Sequence, residues 1–202
     1  MILKPMKYLF TLITISMLFI ANISMAHATS MDPKPILNKI LNTPEQRLTY
    51  AVSVSFGAGK PDSLRGGRIS FRWHPKQLVW KYLSIYMDTS FAQWRNNFKH
   101  NKNLSIFAIA PVFRVNITSY NSSILPYLEG SVGLSIMTKH YIGHRNLGSR
   151  FAFQDLMGFG VLFGKRHQFS LSYHFLHYSN ASIWPPNEGI DVKYLITFAY
   201  RF

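Results

Sequence analysis

The sequence predicts an all-β fold, an eight-stranded antiparallel transmembrane β-barrel of the outer-membrane type. Apolar residues recur at every second position over most of the chain beyond residue 46, the periodicity of strands with one greasy face. No segment after the N-terminal leader is long and apolar enough to span a bilayer as a helix. The last strand is aromatic and ends on Phe202, like the assembly signal of bacterial outer-membrane barrels.

Taken from the N-terminus, residues 1–28 are expected to be a cleaved secretory signal peptide. Lys4 and Lys7 precede an apolar run from Tyr8 to Ile20, and Ala26-His27-Ala28 supplies small residues at the cleavage spacing. Residues 29–45, interrupted by Pro33, Pro35 and Pro44, form an N-terminal periplasmic segment, and 46–202 form the barrel. The chain of 202 residues carries 22 Lys and Arg against 8 Asp and Glu, a formal charge of +14. The leader removes Lys4, Lys7 and no acid, leaving about +12 to attract a polyanion. For an exported chain rich in Phe and Tyr, the expected partner is a phosphorylated membrane surface rather than nucleic acid. The absence of cysteine excludes disulfides, thiolate metal sites and thiol nucleophiles.

The first strand alternates Leu48, Tyr50, Val52, Val54 and Phe56 with Thr49, Ala51, Ser53 and Ser55. The second sets Ile69, Phe71 and Trp73 against Arg68, Ser70 and Arg72, and the third sets Leu83, Ile85, Met87 and Phe91 against Ser84, Tyr86, Asp88 and Ser90. The fourth, Asn103 to Asn116, is apolar on both faces around Pro111, so its register is open. The fifth places Leu128, Val132, Leu134 and Ile136 opposite Glu129, Ser131, Gly133 and Ser135. The sixth places Phe153, Met157, Phe159, Val161 and Phe163 opposite Gln154, Gly158 and Gly160. The seventh opposes Phe169, Leu171, Tyr173 and Phe175 to Gln168, Ser170, Ser172 and His174. The eighth opposes Val192, Tyr194, Ile196, Phe198, Tyr200 and Phe202 to Lys193, Thr197 and Arg201.

Such strands fold either with the apolar face inward, as a soluble lipocalin-like barrel, or outward in a membrane. The outward solution is favoured, because the other face gathers Arg68, Arg72, Asp88, Glu129, Lys193 and Arg201 among small residues, a set suited to a narrow lumen of paired charges. With both termini periplasmic, the outer loops are 57–67, 95–102, 139–150 and 178–190. Their basic residues, among them Arg65, Arg95, Lys99, Lys102, Lys139, Arg145 and Arg150, are either ordinary loop charge or a collar at the level of lipid phosphates. Trp73, Trp80, Trp94 and Trp184 are expected in the interfacial girdle.

One stretch breaks the outward series with chemistry. In "SYHFLHYSNAS" the register of Tyr173 and Phe175 delivers His177 and then Ser179. Residues i and i+2 of a strand share a face, so an imidazole can serve as base toward a hydroxyl without backbone distortion. The pair alone is a weak signal, since a His-Tyr-Ser-Asn run is also normal where a strand leaves the hydrocarbon. Other motifs carry less. His140, His144 and His174 lack metal-ligand spacing, so no metal and no cofactor is expected, and Gly57-Ala58-Gly59-Lys60 lacks phosphate-loop spacing.

The segment "FLHYSNASIWPPNEGID" resembles the lipid A 3-O-deacylase (PagL) family of outer-membrane barrels, with its H-x-S-N motif followed by a P-N-x-G-I-E-like segment. "LPYLEGSVGLSI" and "LGSRFAFQDLMGFGVLFG" are similar to that family's fifth and sixth strands. The resemblance implies an outer-membrane serine esterase acting on the 3-O-linked acyl chain of lipid A, with lipopolysaccharide in the outer leaflet as its partner. It implies Ser179 as nucleophile, His177 as base, Asn180 as oxyanion support, and Pro186-Asn187 as the downstream pair. The family's glutamate falls on Asp191, one methylene shorter, with Glu188 as the rival acid; Ser182 stands where the family has glycine. Strict alternation back from Phe202 aims Asp191 into the lumen unless a bulge intervenes. The alternative function is a non-enzymatic structural or lipopolysaccharide-binding barrel, and either is compatible with a homodimer.

Overall fold

The computed structural model describes residues 48–60, 63–79, 82–118 and 122–202. The leader expected at 1–28, nearly all of the segment before the first strand, and Trp80 lie outside these residues. The strands are β1 (Tyr50–Lys60), β2 (Leu64–Trp73), β3 (Leu83–Arg95), β4 (Asn103–Asn116), β5 (Ile124–Met137), a short hairpin of β6 (Tyr141–Ile142) and β7 (Arg145–Asn146), then β8 (Phe151–Phe163), β9 (Phe169–Ser179) and β10 (Ile190–Arg201). All but the hairpin close into one antiparallel barrel in the order β1-β10-β9-β8-β5-β4-β3-β2.

The barrel strands have 10 to 14 residues. That matches or exceeds the roughly 9–11 needed for a tilted crossing, leaving the outer ends free to build a site. The barrel closes by pairing of β1 with β10, from Ala51 opposite Arg201 to Lys60 opposite Asp191, and the terminal residue extends this ladder: Tyr50 N–H donates to Phe202 O at 3.0 Å and Phe202 N–H donates to Tyr50 O at 2.7 Å. Around this end Tyr50, Phe71, Phe169, Tyr200 and Phe202 form a chain of ring contacts at 5.3–6.4 Å, an aromatic girdle.

The apolar faces point outward, the solution favoured by the charged and small residues of the other face. Phe56, Ile69, Phe107, Leu128, Ile136, Phe159 and Tyr194 are each more than half exposed, which in a bilayer means lipid contact. The ambiguous fourth strand resolves with Phe107, Ile109 and Val115 outward and Leu104, Ile106, Ala108, Ala110, Val112 and Arg114 inward.

The lumen differs from the expected ladder of paired charges by having two layers. Toward the outer end it is apolar, a cluster that includes Leu64, Trp94, Leu104, Ile106, Leu156, Leu176 and Val192. Trp94 is therefore a lumenal plug and not a girdle residue, because β3 continues its alternation to Arg95 and residue 94 falls on the inner face. The charges occupy the other half. Asp88 accepts from Arg68, from Arg72 Nε at 3.0 Å and from Ser70 Oγ at 3.0 Å. Glu129 accepts from Arg114 Nε at 2.9 Å, from Tyr86 Oη at 3.0 Å and from His174 Nε2 at 2.6 Å. Each carboxylate is thus paired and hydrogen-bonded, the condition under which buried ions are tolerated.

A second correction concerns β10. Val192 pairs with Leu176 and Leu195 with His174, so Lys193 and Tyr194 together oppose Phe175. This is a β-bulge, which turns both residues outward and reverses the faces of everything before it. Val192, expected on lipid, is buried, and Lys193, expected in the lumen, is exposed. The facing strand makes room: a Cβ at Gly59 would collide with the Asp191 carbonyl, and one at Gly57 would lie 2.8 Å from Val192 Cγ1. The Gly-Ala-Gly of β1 is the seat of the bulge.

Candidate active site

Because of the bulge, Asp191 stands on the outer face directly across from His177. His177 Nδ1 bonds Asp191 Oδ1 at 2.7 Å, with the two side chains 20% and 25% exposed. An ionised carboxylate only accepts, so Nδ1 carries the hydrogen and Nε2 is left as the basic nitrogen. The half-buried Ser179 follows two residues along the same face, about 6.6 Å from His177 by Cα spacing. Beneath this row, Leu156, Leu176 and Val192 are neighbours across three strands and fully or nearly buried, so the outer row rests on close-packed apolar side chains.

Glu188 lies elsewhere. Its carboxylate accepts from Asn146 N–H, its own N–H donates to Asn146 O at 3.2 Å, and its carbonyl accepts from Arg145 Nη1. Arg145 Nη1 also donates to Gly189 O at 2.8 Å. Both residues tie the β9–β10 loop to the β6–β7 hairpin, so part of the basic collar is structural. Arg150, whose Nε donates to Met137 O at 2.9 Å, is another such case.

Asn180 is buried, and its Nδ2 donates to Leu147 O at 2.8 Å and to Trp184 O at 2.6 Å. Both side-chain donors are thereby engaged in bracing the loop. Its backbone N–H donates to Asn187 Oδ1 at 3.1 Å, which fixes the Asn187 amide with its Nδ2 turned away from that contact. Ala181 (φ 55°) and Ser182 (φ 65°) are both left-handed, and Ile183 N–H donates to Asn180 O at 3.1 Å. Two left-handed central residues make this a turn of type I′ pattern, which costs about 1–2 kcal/mol per non-glycine residue. Backbone strain of this kind clusters at functional sites, and here it adjoins Ser179.

Two residues were not singled out from the sequence. Asp155 of β8 is the cross-strand partner of His177 on its other side and shares the outer face. Its signal was available: it sits between Phe153 and Met157 in the outward series, an acid where the spacing calls for an apolar residue. Gly189 (φ 59°) abuts the imidazole, and a Cβ there would lie 3.1 Å from His177 Cε1. An aromatic group completes the surface: Phe153 pairs with Ser179, Phe151 meets Phe153 at 5.3 Å, and Trp184 meets Phe151 at 6.0 Å. Among the described residues, no group of three or more His, Asp or Glu is arranged to hold a metal.

This arrangement, an imidazole oriented by a carboxylate beside a serine on a lipid-facing surface, is suited to acyl transfer from an ester. Comparison with known proteins agrees in class. The family model for lipid A 3-O-deacylase (PagL) matches residues 65–201. The lipid A deacylase PagL of Pseudomonas aeruginosa is 29% identical over 128 residues, 61% of this chain and 71% of that one. The lipid A deacylase PagL of Bordetella bronchiseptica is 34% identical over 76 residues, 38% of this chain and 41% of that one. The crystal structure of the outer membrane enzyme PagL superposes with a TM-score of 0.66 at 27% identity, covering 75% of this chain and 99% of that one.

Proposed function

The chain belongs to the lipid A 3-O-deacylase (PagL) family of outer-membrane ester hydrolases, and on that premise we propose that it removes the 3-O-linked acyl chain of lipid A through a Ser179, His177 and Asp191 triad on the lipid-facing barrel surface. The observation that carries this is the 2.7 Å bond between His177 Nδ1 and Asp191 Oδ1, made on the same outer face as Ser179.

Ser179 Oγ attacks the ester carbonyl while His177 Nε2 takes its proton, and Asp191 stabilises the resulting imidazolium. The tetrahedral oxyanion is received by the Ser182 N–H and Asn187 Nδ2, with Asn180 as the brace that holds both in place. Collapse expels the sugar 3-alkoxide, protonated by His177, and leaves an acyl-Ser179. Water, deprotonated by the same nitrogen, then releases the fatty acid and restores the hydroxyl. The aromatic surface of Phe151, Phe153 and Trp184 receives the departing chain.

The test is the mass of lipid A from cells producing the wild-type protein or Ser179→Ala. Loss of one ester-linked acyl chain with the wild type, and retention of it with the variant, is expected. Identical patterns in both would sink the esterase assignment and leave a lipopolysaccharide-binding barrel.

A further inference from the structure

We propose that Lys193 binds the phosphate carried by the glucosamine whose 3-O ester is cleaved, making it a specificity-determining residue of the site; this rests on the deacylase assignment above. Lipid A is a phosphorylated glucosamine disaccharide, and on the sugar bearing the 3-O ester the anomeric phosphate is only two ring carbons from the ester oxygen.

Three observations converge on Lys193. The bulge that brings Asp191 to His177 also carries Lys193 out of the lumen, so the acid and the cation stand two residues apart on one exposed face. The backbone at this point is held: Tyr173 Oη donates to the Lys193 carbonyl at 2.8 Å, and the Tyr173 ring packs at 6.5 Å from Tyr194 and 5.6 Å from Phe159. The cation has no carboxylate within ion-pair distance among the described residues; Asp191, the acid beside it, is engaged by His177.

A lysine on the lipid side of a barrel is unfavourable by about 2–4 kcal/mol at the midplane and by little near the interface. Its aliphatic stem lets the ammonium rise toward the headgroups, which here means toward the level of His177 and Ser179. An anion supplied by the substrate satisfies it there. An exposed charge–phosphate contact at a membrane surface is worth about 1 kcal/mol, or roughly fivefold in rate or affinity.

The experiment uses purified barrel in non-ionic detergent micelles with two substrates, bisphosphorylated lipid A and the same lipid A lacking its anomeric phosphate, and reads kcat/KM for fatty-acid release. The wild type is expected to prefer the phosphorylated substrate about fivefold. Lys193→Gln should bring that ratio close to one, and Lys193→Arg should keep it. Heat-modifiable gel mobility reports folding, and because the readout is a ratio, lowered folded yield does not move it. Absence of preference in the wild type, or an unchanged ratio in Lys193→Gln, overturns the proposal. A loss equal on both substrates that appears only when anionic phospholipid is added assigns Lys193 to a bystander lipid and also overturns it. If the wild type releases no 3-O acid from either substrate, the deacylase assignment itself fails.

Discussion

His177 and Asp191 are directly opposed across β9 and β10, and their side chains meet at 2.7 Å because Lys193 and Tyr194 share a single partner, Phe175. Without that extra residue the alternation of β10 would bury the carboxylate among Leu156 and Leu176. The outward placement of the Asp191 carboxylate is therefore set by a pairing irregularity two to three residues further along the strand.

Asp191→Ala should lower kcat/KM by about 10⁴, the loss seen when the orienting acid of a serine triad is removed. Glu188→Ala is expected to cost far less, because its carboxylate caps Asn146 in the hairpin and does not meet the imidazole. Asp155→Asn, which neutralises the second acid opposite His177, should fall between them. Steady-state kinetics on folded barrels orders the three, and a larger loss from Glu188→Ala than from Asp191→Ala would transfer the orienting role.

Deleting Tyr194 removes the bulge and should return Asp191 to the inner face. The barrel is expected to assemble in reduced yield and to be inactive. Gly59→Ala attacks the same feature from β1 by pressing on the Asp191 carbonyl, with an expected loss of about 100-fold for displacement of a catalytic group. Full activity in the deletion would mean that the acid reaches His177 by some other route.

Glu129→Leu leaves Arg114 and His174 without their shared acceptor inside the lumen. Breaking a buried pair costs about 3–5 kcal/mol, so the folded fraction measured by gel mobility and by urea titration should drop sharply. Turnover per folded molecule should be unaffected, because an apolar layer of Leu156, Leu176 and Val192 separates this network from the outer row. Normal assembly would show that the ion pairs contribute little.

Ser182→Gly and Gly189→Ala should act in opposite directions. Glycine relieves the left-handed strain at φ 65° and is expected to stabilise by about 1 kcal/mol with activity kept. Alanine at 189 introduces strain at φ 59° and a methyl against His177 Cε1, so kcat is expected to fall about tenfold or more. Thermal unfolding and kcat measured on the same preparations separate the two effects.

Much of the site was legible in the chain. Tyr173, Phe175, His177 and Ser179 hold one face by period two alone, and the resemblance pointed to Asp191 ahead of Glu188. Asp155 is equally legible by the same rule, as an acid in the outward series of β8. Asn180 shows the opposite case: the resemblance implies a support for the oxyanion, and its side-chain amide is engaged by the carbonyls of Leu147, 33 residues earlier, and of Trp184.

The sequence by itself determined the strand number, the lipid-facing side of most strands and the shared face of His177 and Ser179, since these follow from alternation within one strand; the register of β4 and the faces at the start of β10 did not. Only the tertiary structure decided that Asp191 faces outward, that Trp94 plugs the lumen, that Lys193 stands beside the site and that Asn180 is a brace. A bulge is a mismatch in the count between two paired strands, and a hydrogen bond across a loop depends on which distant carbonyl arrives next to it. Neither has a periodicity that one strand's residues can record.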